Sequence, residues 1–266
     1  MSAGPAWLRP DWPAPRRVRA AFSLRAGGVS RAPYDALNLG AHVGDAPEAV
    51  AENRARLRAA LALPAEPVWM EQVHGVRVAD LDREARPGPA DAAVTRTAGR
   101  VCAVLVADCL PVLLATRRGD AVAVAHAGWR GLAAGVLEAT VAALAVPGAE
   151  LLAWLGPAIG PARFEVGSEV RAAFLDADAD AAVAFRPNER GRWLCDLQRI
   201  ARQRLAALGV AAVSGGGACT FEDPRRFYSY RRDERTGRMA ALVWLEPERD
   251  AAMDKTPGGH LESAPL

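Results

Sequence analysis

The stretch "ADCLPVLLATRRGDAVAVAHAGWRG" (residues 107–131) decides the fold. Two apolar runs flank "RRGD", so 112–128 reads as a β-hairpin turning at Arg118–Gly119. A symmetric turn makes paired residue numbers sum to about 237, which sets Pro111 opposite His126. Proline has no N–H for the ladder, so a bend or bulge is expected at "DCLP". That bend turns Cys109 towards His126. After Gly128, "WRGLAAGVLEATVAALAV" (129–146) reads as one helix, with Trp129, Leu132, Val136, Leu137 and Leu144 on one face.

Outward from this unit the chain alternates strands and helices. "VCAVLVADC" (101–109) is a strand apolar on both faces, and "VRAAFSL" (18–24) is another. A long turn-rich loop spans 25–40. A helix is expected over 45–63, where Asp45 and Glu48 have capping-box spacing. "PVWMEQVHG" (67–75) reads as a strand entering a turn, with "VRVADL" (76–81) as its partner. Residues 83–93 form a Pro/Gly loop. A strand opens 151–167 and runs into a Gly/Pro-rich loop. Helices are expected near 168–176 and 196–208, the second capped by Asp196 and stopped by Gly209. "VAAVSGGGACTF" (210–221) reads as a strand ending in glycines. "FYSYRRDERTGRMAALVWL" (227–245) reads as a terminal hairpin around Thr236–Gly237. Residues 1–17 are expected to wrap the surface, and 246–266 to be a disordered tail. Mixed elements with hairpins indicate an α/β class, a layered sandwich rather than a purely parallel sheet.

The 266 residues, 51% hydrophobic, suffice for a large core. Net charge is +2 and the basic residues are scattered, so no nucleic-acid-binding stripe exists. The N-terminus lacks the apolar core of a signal peptide, and no apolar window is long enough to span a bilayer. Four cysteines in a chain of this length indicate free thiols and a cytoplasmic location.

Cys109 and His126 can therefore meet. Three readings of the pair stay open: a packed core thiol with a core histidine, a thiolate nucleophile with its base, or part of a zinc site that needs a third ligand. The chain has four histidines. His260 lies in the tail and His42 in a loop. His74 ends a strand just before a glycine, and His126 likewise closes a strand shortly before Gly128. One Cys and two His leave the fourth tetrahedral position open, which is the catalytic pattern. An anion such as phosphate would suit Arg130 at the helix start. Asn38 is a candidate reader of a polar substrate edge, and Arg231 with Tyr230 lies in "SYRRD".

The motifs "RAGGVS…LNLG", "WMEQVHG", "ADCLPVLL", "AHAGWRG", "WLGPAIGP…FEVG" and "CTFEDPRRFYSYRRDERTGRMAALVWL" together resemble the laccase-domain (YfiH-like) family. The resemblance runs from about residue 16 to 245 in one order of motifs. Members were first described as multicopper polyphenol oxidoreductases and are now regarded as purine nucleoside phosphorylases, some as peptidoglycan editing factors. The resemblance implies a single α/β domain over 1–245, an α/β/β/α sandwich with mixed sheets. It implies metal ligands His74, Cys109 and His126, with zinc or copper as the cofactor. It implies phosphorolysis of adenosine, inosine and methylthioadenosine, and adenosine deamination. Purine nucleoside and phosphate are then the partners of a monomer or homodimer. Leu24 stands where the family usually has Thr.

On that reading Cys109, His126 and Asp108 are the catalytic candidates, with Asp108 either shuttling a proton or bracing a ligand histidine. Arg25, Asn38, Arg130, Glu165 and Arg231 are the substrate-binding candidates; Arg25 and Arg130 would hold phosphate, and Glu165 could move a proton. Rival readings are a Cys109 amidase acting on cell-wall precursors, a copper oxidase, and a non-catalytic zinc protein. Four histidines are too few for a blue-copper centre plus a trinuclear cluster.

Overall fold

A strand that is apolar on both sides must lie between two covering layers. The computed structural model, which describes residues 4–247, is built around such strands. In chain order the first strands are β1 (Trp7–Leu8), β2 (Val18–Ser23), β3 (Val68–Trp69), β4 (Val78–Asp80), β5 (Ala92–Thr95), β6 (Val101–Val106), β7 (Leu110–Thr116) and β8 (Val122–Ala127). They continue with β9 (Leu151–Leu155), β10 (Glu165–Val166), β11 (Phe185–Pro187), β12 (Trp193–Cys195), β13 (Ala212–Gly215) and β14 (Met239–Leu245). The helices are α1 (Pro47–Ala60), α2 (Trp129–Ala134), α3 (Val136–Leu144), α4 (Ser168–Leu175), α5 (Leu197–Ala207) and α6 (Tyr230–Asp233).

Three sheets result, a five-stranded one in the order β1-β2-β14-β6-β3, a six-stranded one in the order β13-β9-β7-β8-β5-β4, and a small one of β10-β12-β11. Side-chain alternation sorts the core into three zones. Val101, Ala103 and Leu105 of β6 face Leu57 of α1 and the loop residues Leu37 and Leu39. Cys102, Val104 and Val106 of the same strand face the six-stranded sheet, meeting Leu113, Val122, Val124 and Trp154. Val112, Leu114, Ala123 and Ala125 point the other way, onto Leu132, Val136, Leu137 and Leu144 of α2 and α3 and onto Ile200 and Leu205 of α5. Helix, sheet, sheet and helices thus stack as the α/β/β/α sandwich, one domain with mixed sheets. Among the described residues no helix is long and apolar enough to cross a membrane.

The central hairpin has the register read from its turn: Pro111 pairs with His126 and Leu110 with Ala127. The strand before it stops at Val106, and Asp108 takes a positive φ of 88° at the bend. Four expectations are corrected. The span 129–146 is two helices, because Gly135 sits in the left-handed region at φ 103° and breaks the ladder. Strand β4 does not pair with β3; the two belong to different sheets, so the turn between them crosses from one layer to the other. Asp45 does not cap α1 with Glu48, because it bonds Ser30 and Asn38 instead, and Pro47 opens the helix. The 227–245 segment is no hairpin: α6 replaces its first arm, and β14 pairs with β2 and β6. The N-terminal stretch also does more than wrap, since β1 adds an edge to the five-stranded sheet. The expected disordered tail lies outside the described residues, apart from Glu246 and Pro247.

Candidate metal centre

Three chain segments converge where the two large sheets meet. His74 follows β3, Cys109 sits on the bend between β6 and β7, and His126 lies near the end of β8. One ligating atom from each lies within 4.8 Å of the others. Cys109 Sγ is 3.8 Å from His74 Nε2, and the two imidazoles cross edge to face with centroids 4.8 Å apart. A tetrahedral zinc with bonds of about 2.0–2.3 Å holds its donors roughly 3.3–3.6 Å apart, so small side-chain shifts would seat an ion.

The surroundings fix each donor. His126 Nδ1 lies 2.8 Å from Asp91 Oδ1, which assigns Nδ1–H as the donor and leaves Nε2 to face the centre. Asp91 is fully buried, and its carboxylate also accepts from the main-chain N–H of Val73 (3.1 Å), His74 (2.9 Å) and Gly75 (2.7 Å). His74 itself has a positive φ of 60°, a conformation most side chains avoid. Gly128 must be glycine: a Cβ there would lie 2.8 Å from His74 Cδ2 and 3.0 Å from Cys109 Sγ.

The electrostatics favour a cation. Burial alone would raise the Cys109 thiol, but the charge and hydrogen bonds of His126, and then His74, hold it at about 6. Burial alone would lower His126, but thiolate and Asp91 raise it to about 9. The protein without metal thus favours a thiolate beside an imidazolium, and a divalent ion can replace that positive charge. Burial would likewise raise Asp91, yet the His126 and backbone hydrogen bonds hold it below the usual carboxylate range. The donor types, spacing and buried carboxylate behind His126 all fit a metal held by two nitrogens and one sulfur.

The trio opens into a cavity of about 520 Å³, also lined by His42, Trp129, Arg130, Tyr230 and Arg238. A larger groove of about 660 Å³ runs along α1 but contains no His or Cys. Arg130 stacks on Trp129, 4.5 Å from the ring centroid. His42 is not among the close donors; it lines the wall. Burial, then Arg238 and Arg54, lower its pKa and keep it neutral. Gln72 closes one side by pairing with the main chain of Leu105, as a strand residue would.

Several expected site residues are hydrogen-bonded to the scaffold. Asp108 does not touch a ligand histidine; its carboxylate takes Thr220 Oγ1 (2.5 Å), Ser229 Oγ (3.0 Å) and the Arg231 N–H (2.7 Å), pinning the bend that carries Cys109. Arg25 is bound to the Asp35 and Pro224 carbonyls and to the Asp35 carboxylate. Asn38 is fully buried, with its amide satisfied by Gly40, Asp45 and Arg238. Glu165 binds Asn188 and Arg190, and the Arg231 guanidinium binds the Glu165 carbonyl. None of these five lines the cavity. Helix α2, six residues long, also supplies less N-terminal dipole than one continuous helix would. Asp91 and Arg238 were not singled out from sequence. The signal for Asp91 was an acid immediately before the apolar run "AAVT"; for Arg238 no signal separates it from its neighbours in "RRDERTGR".

Comparison with known proteins places the chain among relatives. A family model described as multi-copper polyphenol oxidoreductase laccase matches residues 19–246. A purine nucleoside phosphorylase of Pseudomonas aeruginosa is 60% identical over 242 residues, covering 91% of this chain and 99% of that one. Purine nucleoside phosphorylase YfiH of Escherichia coli is 56% identical over 237 residues, covering 89% and 97%. The crystal structure of a Neisseria meningitidis protein has a TM-score of 0.87 at 48% identity, covering 91% of this chain and 99% of that one. That of YlmD from Geobacillus stearothermophilus has a TM-score of 0.84 at 30% identity, covering 93% and 98%.

Proposed function

The chain belongs to the multi-copper polyphenol oxidoreductase laccase family, and within it we propose that this protein is a purine nucleoside phosphorylase whose metal ion is zinc. The observation that carries the reading is the opening of the His74–Cys109–His126 trio into a cavity that also presents Arg130 and Arg238. An electrophile site beside two guanidiniums suits a reaction in which an anion is brought to an electron-poor carbon.

Phosphorolysis forms a bond between a phosphate oxygen and ribose C1′ and breaks the bond from C1′ to the purine nitrogen. The electron pair leaves with the purine, which takes up a proton. In this proposal Arg130 and Arg238 bind the phosphate and offset its charge. Trp129 and Tyr230 supply aromatic surface for the base. His42, neutral, offers one ring N–H and one lone pair to a purine edge. When bound, zinc supplies Lewis acidity at this point, polarising an oxygen or lowering the pKa of a water. Asp91 and Gly128 hold the ligand side chains in place. The proposal extends to adenosine deamination, in which water adds at purine C6 and ammonia leaves, giving inosine.

The donor set argues against multicopper chemistry. Among the described residues, His74, Cys109 and His126 are the one group of three or more ligating side chains close enough to share an ion. Copper binds such ligands more tightly than zinc does, so a single copper can occupy the site without making an oxidase of this kind.

The test is chromatography of adenosine with inorganic phosphate. Wild type should yield adenine and ribose 1-phosphate, and both chelation and Cys109→Ala should abolish them. Turnover unchanged by either would reject the reading, and turnover that survives chelation but not Cys109→Ala would point to a thiol hydrolase.

A further inference from the structure

Asp91 does more than fill a gap behind one imidazole. It precedes β5, a strand of the six-stranded sheet, yet it binds the turn that leaves β3 in the five-stranded sheet. Three consecutive N–H groups, from Val73, His74 and Gly75, converge on its two oxygens. Such a concave run of N–H groups is an anion cradle, and here the anion is a side chain. The same carboxylate receives His126 Nδ1, and the Asp91 carbonyl accepts the His126 main-chain N–H at 2.7 Å. Among the described residues, every hydrogen bond to the carboxylate comes from His126 or from the turn carrying His74.

We propose that Asp91 is the positioning residue of the metal site: one buried carboxylate that fixes which ring nitrogen His126 presents and holds the strained turn that presents His74. It does not line the cavity. Its charge keeps the proton on Nδ1 of His126, so that Nε2 is the nitrogen presented to the centre. Its grip on residues 73–75 holds His74 at φ 60°, in the left-handed region that most side chains avoid. The inference rests on the metal reading of the trio and not on the identity of the nucleoside.

Asp91→Asn is the variant to make, because it keeps the size but replaces one acceptor oxygen by an NH₂ group facing N–H donors. Zinc affinity, measured by competition with a chromophoric chelator, should fall roughly 10–100-fold in the folded variant. Nitrogen-15 spectra should show that His126 is no longer fixed as the Nδ1–H form. A residue that only supports the fold would lower the melting temperature and leave both readouts unchanged in the folded protein; that result would overturn the proposal. If the variant does not fold, the zinc-loaded wild type decides: His126 must carry its proton on Nδ1, and a proton on Nε2 overturns it. Wild type that binds no zinc would instead sink the metal reading itself.

Discussion

Asp91 Oδ1 lies 2.8 Å from His126 Nδ1, and the same oxygen accepts the His74 main-chain N–H at 2.9 Å. The two histidines of the site are therefore tied to each other through one atom, although they reach it from different sheets. His126→Ala should remove a ligand and leave Asp91 short of a partner. We expect loss of bound zinc and a stability cost of about 1–3 kcal/mol, the scale of an unmet buried hydrogen bond. Metal analysis and thermal melts of the purified variant check both.

The Cys109–His126 pair predicts a proton count. Between about 6 and about 9 the metal-free protein holds a thiolate and an imidazolium. Metal binding in that window must displace one proton, the one on His126 Nε2, so apparent affinity should rise about tenfold per pH unit. Below about 6 the thiol must also lose its proton, and the slope should steepen. The pair also stabilises the metal-free fold in a defined window. The Cys109 pKa is depressed, so its contribution is lost as pH falls through about 6; the His126 pKa is raised, so its contribution is lost as pH rises through about 9. Indicator-dye measurement of proton release during zinc titration would show one proton at pH 7.5, and none would contradict the assignment.

Gly128→Ala should empty the site with little harm to the fold. The new Cβ would press on His74 Cδ2 and Cys109 Sγ, both side-chain atoms that can swing away, but only by leaving the geometry an ion needs. Zinc content should fall well below one per chain. Gly88→Ala, at a position with open space around it, serves as the control and should bind as wild type does.

Arg130→Ala should raise the KM for phosphate and leave the melting temperature unchanged, since its guanidinium rests on Trp129 at the cavity wall. A charge-assisted hydrogen bond is worth about 1.5–3 kcal/mol, which converts to roughly 10–100-fold in KM. Initial-rate kinetics at varied phosphate would read it.

Asn53→Ala should destabilise the protein without touching the metal. Asn53, fully buried on α1, donates to Ser30 Oγ and to the Ala36 and Asn38 carbonyls and accepts from the Val29 N–H. It thereby ties the 25–40 loop to the helix. Several buried groups lose partners at once, so a cost of about 3 kcal/mol or more is expected. Denaturant melts give the cost, and zinc stoichiometry should be unchanged.

The hairpin that carries the site was legible because its turn and its proline fix the register, and Pro111 does oppose His126. A layered sandwich was legible because β6 is apolar on both faces and hairpins mix with helices, and the α/β/β/α order followed from the family resemblance. What escaped was decided by contacts remote in sequence. Asp108 was read as a candidate acid or brace, but Thr220 and Ser229, more than a hundred residues on, claim it. Asp91 was passed over inside a Pro/Gly loop, since its partners lie at 73–75 and 126. Arg25 and Asn38, in a loop rich in turn residues, looked available to a ligand but spend their polar groups on their own loop, on Arg238 and on Pro224. The helix break at Gly135 was visible as a glycine and lost against a strong apolar stripe on both sides of it.

The most direct measurement is X-ray absorption at the zinc edge of the loaded protein, paired with the stoichiometry of binding. One zinc per chain, with one sulfur, two imidazole nitrogens and one light atom from solvent, is the predicted shell. A fourth protein ligand, a second sulfur, or a Cys109→Ala variant that keeps the same shell would contradict it.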